Sequence, residues 1–184
     1  MSLAALSDAN DDIKALIRTI PDFPKPGIMF RDITTLLLDA RGLALTVERM
    51  AAAVGGPVDL VAGIEARGFI FAAALAAPLG AGVLLIRKDG KLPGATIAED
   101  YALEYGTDRI TMHEDALVPG QRVLLVDDLI ATGGTACAAV RLLRKAGATV
   151  TQASFVVDLP ELGGAELLRA DGIAVSALVS FEGH

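Results

Sequence analysis

Thirteen consecutive residues carry the strongest chemical signal in the chain, Val123-Leu124-Leu125-Val126-Asp127-Asp128-Leu129-Ile130-Ala131-Thr132-Gly133-Gly134-Thr135. The leading apolar residues read as a buried strand that brings two adjacent carboxylates, Asp127 and Asp128, to its carboxyl end. Such a pair can accept hydrogen bonds from vicinal sugar hydroxyls, or hold Mg2+ through water. Read alone, it also fits one capping acid and one solvated acid. The turn Ala131-Thr132-Gly133-Gly134-Thr135 adds successive backbone N–H groups, two hydroxyls and no bulky side chain. It opens a helix whose first N–H groups have no intrahelical partner, which suits an anion. It is not a Walker loop, because no lysine precedes the final threonine, and not a G-x-G-x-x-G fingerprint. Acid pair and turn together suit a sugar bearing a phosphate.

Other residues could add chemistry, each with a plainer alternative. Arg67 follows a short apolar strand and reads equally as an anion contact or a surface arginine. Arg87, Lys88 and Lys91 form a basic stretch, suited to an anionic group or to solvent. Glu104 stands between Leu103 and Tyr105 and, out of context, is an exposed glutamate on a hairpin. Phe30 could stack on a ring or anchor the N-terminal segment. His113 and His184 share no metal-ligand spacing. Cys137 is the only cysteine, so no internal disulfide forms, and it reads as a small buried helix residue.

The elements that must position these groups follow from the pattern. The chain has 184 residues, 53% hydrophobic and only 4% aromatic, so its core is built mainly of Ala, Val, Leu and Ile. Helical spacing (Ile13, Leu16, Ile17, Ile20) predicts a helix over about 8–20, ending at Pro21. Three prolines and a glycine within 21–27 exclude regular structure there. A second helix is expected over about 40–54. Strands are then expected at Val58–Ala62, Gly82–Ile86, Arg122–Val126, Val150–Val157 and Ile173–Val179. Helices fall between them at Phe69–Leu79, from Gly134 to about Ala146, and at Gly163–Ala170. This alternation predicts an α/β fold with a mainly parallel sheet of about five strands, whose ligands bind at the strands' carboxyl ends. The stretch from about 87 to 120 breaks the rhythm and reads as a long excursion with a β-hairpin near 100–112.

Several of these stretches occur together and in order: Phe23-Pro24-Lys25-Pro26-Gly27-Ile28-Met29-Phe30-Arg31-Asp32-Ile33, Glu65-Ala66-Arg67-Gly68-Phe69, Arg87-Lys88 through Lys91-Leu92-Pro93-Gly94, Leu103-Glu104-Tyr105-Gly106, and the acid pair with its turn. The chain thereby resembles the type I phosphoribosyltransferases, and in particular their adenine-using branch, over about residues 10–180. The resemblance implies a single domain over 1–184, with an N-terminal hood (about 1–40) and a flexible hairpin lid (about 87–120). It implies that Ala131–Thr135 hold the ribose 5-phosphate while Asp127 and Asp128 face the ribose hydroxyls. Arg67 would hold pyrophosphate, with Arg87, Lys88 and Lys91 adding positive charge. A non-proline cis peptide is common just before that arginine, here Glu65–Ala66. Glu104 would be the acid–base group for the purine's imidazole nitrogen. Phe30 would stack on the base, and main-chain groups around Met29 and Arg31 would read its edge. The resemblance further implies Mg2+ held by substrate, adenine and phosphoribosyl pyrophosphate as substrates, and a homodimer.

Relatives acting on hypoxanthine and guanine generally carry an acid where Ala131 stands. Ala131 cannot serve as one, which favours adenine over a 6-oxopurine. Orotate and xanthine relatives share the acid pair but look unlike this chain around Phe30 and 101–106. A non-catalytic regulator of the same fold, binding nucleic acid, calls for an added module or a basic face. The net charge of −7 and the single domain offer neither. Residues 1–20 lack a signal peptide's basic start and continuous apolar run, and no stretch approaches a membrane span. A soluble, cytoplasmic protein is therefore expected. The C-terminal Phe181-Glu182-Gly183-His184 carries no functional signal.

Overall fold

The computed structural model describes residues 10–102 and 106–183. These form α1 (Asp11–Lys14), β1 (Arg18–Pro21), β2 (Met29–Asp32), α2 (Thr34–Leu38), α3 (Ala40–Ala52), β3 (Leu60–Ile64), α4 (Gly68–Leu79), β4 (Gly82–Lys88), β5 (Thr96–Ala102), β6 (Thr107–His113), β7 (Arg122–Ile130), α5 (Gly134–Lys145), β8 (Thr149–Asp158), α6 (Gly164–Ala170) and β9 (Ala174–Ser180). Strands β5 to β6 to β4 to β3 to β7 to β8 to β9, in that spatial order, make one seven-stranded sheet. β4, β3, β7, β8 and β9 run parallel. The hairpin β5–β6 joins antiparallel to the end of β4, through Arg87 and Lys88.

The expected five-stranded parallel core is present, and each strand has the apolar run that burial on both faces demands. Along β7 the alternation sorts side chains between two cores. Val123 and Leu125 pack with Ala138, Leu142 and Phe155 on the α5 side. Leu124 and Val126 pack with Val61, Phe71 and Leu75 on the α4 side. Alanine at 136, 138 and 139 lets α5 lie close to the sheet. Asp39 caps α3 by accepting from the Gly42 amide at 2.6 Å, a first-turn bond that fixes where the helix begins.

One expected element is corrected. The helix predicted over 8–20 is confined, among the described residues, to α1 and the turn after it, and Arg18–Pro21 is a strand. Arg18–Pro21 pairs antiparallel with Met29–Asp32, from Arg18 opposite Asp32 to Pro21 opposite Met29. Ile13 and Ile17 still turn into the core as the helical spacing required. Cross-strand pairing overrides that spacing from residue 18, helped by β-branched Thr19 and Ile20. The ribbon β1–β2 is a separate two-stranded sheet that shares no strand with the larger one.

Candidate active site

Parallel strands converge their carboxyl ends on one edge, and β3, β4 and β7 bring three groups of polar residues there. β7 ends with Asp127 and Asp128. Asp128 is buried, and its backbone amide donates to Asp127 Oδ1 at 2.9 Å. Burial raises the Asp127 carboxyl well above its ordinary range, and the neighbouring Asp128 charge pushes it further. The counter-charge comes from the loop after β3, where Arg67 Nε donates to Asp128 Oδ2 at 2.5 Å. The Glu65–Ala66 peptide in that loop is cis, as expected. Glu65 accepts from Arg87 Nε and Nη2, both at 3.2 Å, and from the Lys88 amide at 3.0 Å. The bidentate Arg87 pair holds the Glu65 carboxyl below its usual value.

Beyond Ile130 the chain turns through Ala131–Gly133 into α5. Gly133 has φ 82°, a left-handed conformation open to glycine, and no side chain caps the helix. The turn is braced from behind by α6, since the Gly164 amide donates to the Ala131 carbonyl at 3.0 Å. A Cβ on Gly133 would stand 2.8 Å from Gly164 Cα, closer than side chains approach backbone. The first N–H groups of α5 face a cavity of about 340 Å³ lined by Glu65, Lys88, Tyr101, Asp108, Asp127 and the whole Ala131–Thr135 turn.

The hairpin supplies the cavity's far wall. Tyr101, opposite Asp108 in the β5–β6 register, donates from its hydroxyl to Asp108 Oδ2 at 2.9 Å. Burial pushes the Tyr101 phenol up, despite an opposing bond with Thr135. Lys88 Nζ reaches the same Asp108 oxygen at 3.2 Å. Lys91 joins through its backbone, its carbonyl accepting from Arg87 Nη1 at 3.0 Å.

The β1–β2 ribbon comes near Arg67. The Arg67 guanidinium lies 5.8 Å from the centre of the Phe30 ring, and Phe30 meets Phe23 edge-on at 5.1 Å. Met29 is the neighbouring half-buried residue on β2. The side chain of Arg31 is engaged away from this cavity, with Thr19, Glu182 and Gly183. Glu104 lies outside the described residues. Tyr101, Asp108 and Gly164 were not singled out from sequence. Tyr101 opens the Tyr101–Gly106 motif and Asp108 is its hairpin partner, so a register argument finds both. No local signal marks Gly164.

Residues 31–166 match the phosphoribosyl transferase domain family. The chain is 61% identical over 174 residues to an adenine phosphoribosyltransferase of Bradyrhizobium sp. strain BTAi1, covering 94% of this chain and 97% of that one. The structure of an adenine phosphoribosyltransferase from Thermoanaerobacter pseudethanolicus superposes with a TM-score of 0.88 at 46% identity, covering 93% of this chain and 99% of that one. The Saccharomyces cerevisiae enzyme, complexed with adenine and an imino-altritol bisphosphate, gives 0.81 at 33% identity over 96% of this chain and 100% of that one. With Asp127 and the braced turn lining one cavity, and relatives this similar over nearly the whole chain, the chain belongs to the phosphoribosyltransferase family, in its adenine phosphoribosyltransferase branch.

Proposed function

We propose that the protein transfers ribose 5-phosphate from phosphoribosyl pyrophosphate to N9 of adenine, giving AMP and pyrophosphate, a purine-salvage reaction. One observation carries this reading: Arg67 bonds the sugar-side acid Asp128 and lies 5.8 Å from the ring centre of the hood aromatic Phe30. A pyrophosphate leaving from C1′ and a base arriving at C1′ meet at such a point. The Ala131–Thr135 turn and the α5 N-terminus receive the 5-phosphate, and Asp127 and Asp128 accept from the ribose hydroxyls. Arg67, with Arg87, Lys88 and Lys91, offsets charge on the departing pyrophosphate. Phe30 stacks on the purine, and main-chain groups of Met29 and Arg31 face its edge. Glu104 accepts the proton that the purine imidazole loses as it attacks C1′, and returns it in the reverse direction. The protein's share is positioning and water exclusion.

The residues fit a magnesium ion held by substrate. Two adjacent carboxylates are hard oxygen donors, yet the described residues contain no cluster of three or more metal-ligating side chains. When bound with the diphosphate, Mg2+ supplies neutralisation of its charge. Ala131 supports adenine over 6-oxopurines, because its methyl group offers no acid.

The same reading treats the chain as one domain, with a hood over about 1–40 and a lid over about 87–120. Substrates this charged do not cross a bilayer unaided, which supports a cytoplasmic location; no helix among the described residues is long and apolar enough to cross one. A homodimer is supported by an uncovered apolar face. Val83 and Leu85 alternate outward with Arg87 on β4, each 43% exposed, and Ile70 on α4 is 40% exposed. Leu85→Glu would give a monomer in sedimentation if this face joins two copies.

The deciding experiment presents the purified chain with phosphoribosyl pyrophosphate, Mg2+ and, in turn, adenine, hypoxanthine, guanine, xanthine and orotate. Pyrophosphate release with adenine is expected. No release above background removes the enzyme reading, and faster turnover of guanine removes the base assignment. Glu104→Gln is expected to lose turnover while still binding phosphoribosyl pyrophosphate.

A further inference from the structure

The C-terminal residues lie against the back of the hood, 151 positions along the chain from Arg31 at the closest hydrogen bond. Arg31 is buried, at 9% exposure. It donates from Nη1 to Thr19 Oγ1 at 2.6 Å, and from Nη2 to the carbonyls of Glu182 at 2.9 Å and Gly183 at 3.3 Å. Its guanidinium carbon stands 4.6 Å from the centre of the Phe181 ring, and Lys14 Nζ stands 4.9 Å from the same ring. The Phe181 amide is itself fastened to the end of β8, donating to the Asp158 carbonyl at 3.1 Å. The sheet, the tail and the hood are thus linked in series through Phe181 and Arg31.

Two physical facts give this linkage a role. A two-stranded ribbon of four-residue strands is too small to hold its own shape, so its position depends on what it is tied to. Neighbouring residues on a strand point to opposite faces, so Arg31 faces the tail while Phe30 faces Arg67. A cation buried with its Nε lacking a hydrogen-bond partner is costly, and pure ribbon stability would be better served by an apolar residue.

We propose that Phe181–Gly183 form a strap, clasped by Arg31, that sets the height of Phe30 over the base. The strap touches no substrate and is a positioning element. This rests on the reading of Phe30 as the residue that stacks on adenine.

The test compares the full chain with a chain ending at Ser180, with Phe181→Leu and with Phe181→Tyr. Adenine and phosphoribosyl pyrophosphate kinetics are measured alongside hydrogen exchange of residues 18–32. The truncation and Phe181→Leu are expected to raise the KM for adenine about tenfold, leaving kcat and the KM for phosphoribosyl pyrophosphate within about twofold. Phe181→Tyr keeps the ring and should keep native values. Amides of β1 and β2 should exchange faster in the first two variants. An unchanged adenine KM, a parallel rise in both KM values, or unchanged hood exchange would overturn the strap. If the full chain itself shows no adenine turnover, the functional reading fails, and the exchange measurement alone decides the strap.

Discussion

Arg67 Nε and Asp128 Oδ2 meet at 2.5 Å across the carboxyl ends of β3 and β7, a half-exposed guanidinium against a carboxylate only 5% exposed. Removing the arginine leaves a buried charge without its partner, while replacing its shape leaves charge but not the fork. Arg67→Lys therefore separates the two roles. It is expected to fold with little loss, while kcat/KM for phosphoribosyl pyrophosphate falls about 100-fold if Arg67 holds the diphosphate as proposed, because an ammonium cannot span it and a carboxylate as a planar fork does. Steady-state kinetics with each substrate varied in turn check this, and an unchanged value would reduce Arg67 to a structural tether.

Asp127 gives a trade between stability and binding. Its folded pKa is raised by burial and by Asp128, so its favourable contribution is complete only below the unfolded value near 3.8 and is lost as pH rises through the folded one. At neutral pH its ionised form costs stability. Asp127→Asn keeps an oxygen for the Asp128 amide, now at 2.9 Å, and removes the charge. The melting temperature without ligand should rise by about 2–4 °C, while affinity for phosphoribosyl pyrophosphate drops at least about tenfold. Calorimetry and ligand titration measure the two halves, and a lower melting temperature would contradict the charge argument.

Gly164→Ala tests the brace behind the Ala131–Thr135 turn. A Cβ there would stand 2.6 Å from the Gly133 amide nitrogen and 2.9 Å from Gly133 Cα, so backbone has to move. Overpacking of this kind costs about 1–3 kcal/mol. The variant should melt lower and show a raised KM for phosphoribosyl pyrophosphate with the adenine KM nearly native. Equal effects on both substrates would mean that the turn does not depend on α6.

Asp32 ties the β1–β2 ribbon to acid stability. Hydrogen bonds from Thr34, through Oγ1 at 2.7 Å and its amide at 2.9 Å, and from Arg18 lower its carboxyl from 3.8 to about 2. A depressed folded value means that the contribution is present above the unfolded pKa and disappears as pH falls through the folded one. Urea unfolding at pH 5, 4, 3 and 2 should therefore show Asp32→Asn converging on the native chain as pH drops. A gap that stays constant with pH would remove Asp32 from the acid response.

What the sequence revealed and concealed divides along the range of the interactions involved. The acid pair, its turn and α5 were legible because an apolar run, two carboxylates and five small residues act within thirteen positions. The parallel core was legible for the same reason, one short apolar run at a time. β1 was not, because its conformation is decided by Met29–Asp32 across a turn, while its own spacing favours a helix. Gly164 supports a turn some thirty positions earlier, and nothing beside it says so. Arg31 was read for its main-chain groups alone; its side chain is spent on the tail, a partner no local pattern could supply.

The ribbon β1–β2 contributes no strand to the seven-stranded sheet. Among the described residues β1 and β2 pair only with each other, and the parallel core is complete without them. The acid pair and the Ala131–Thr135 turn are therefore carried by a different stretch of chain, and a different sheet, than Phe30. A change in β1–β2 therefore leaves intact the strand pairings that present the turn at Ala131–Thr135. The ribbon is thus a separable module: residues 18–32 can be exchanged without breaking any strand pairing of the larger sheet.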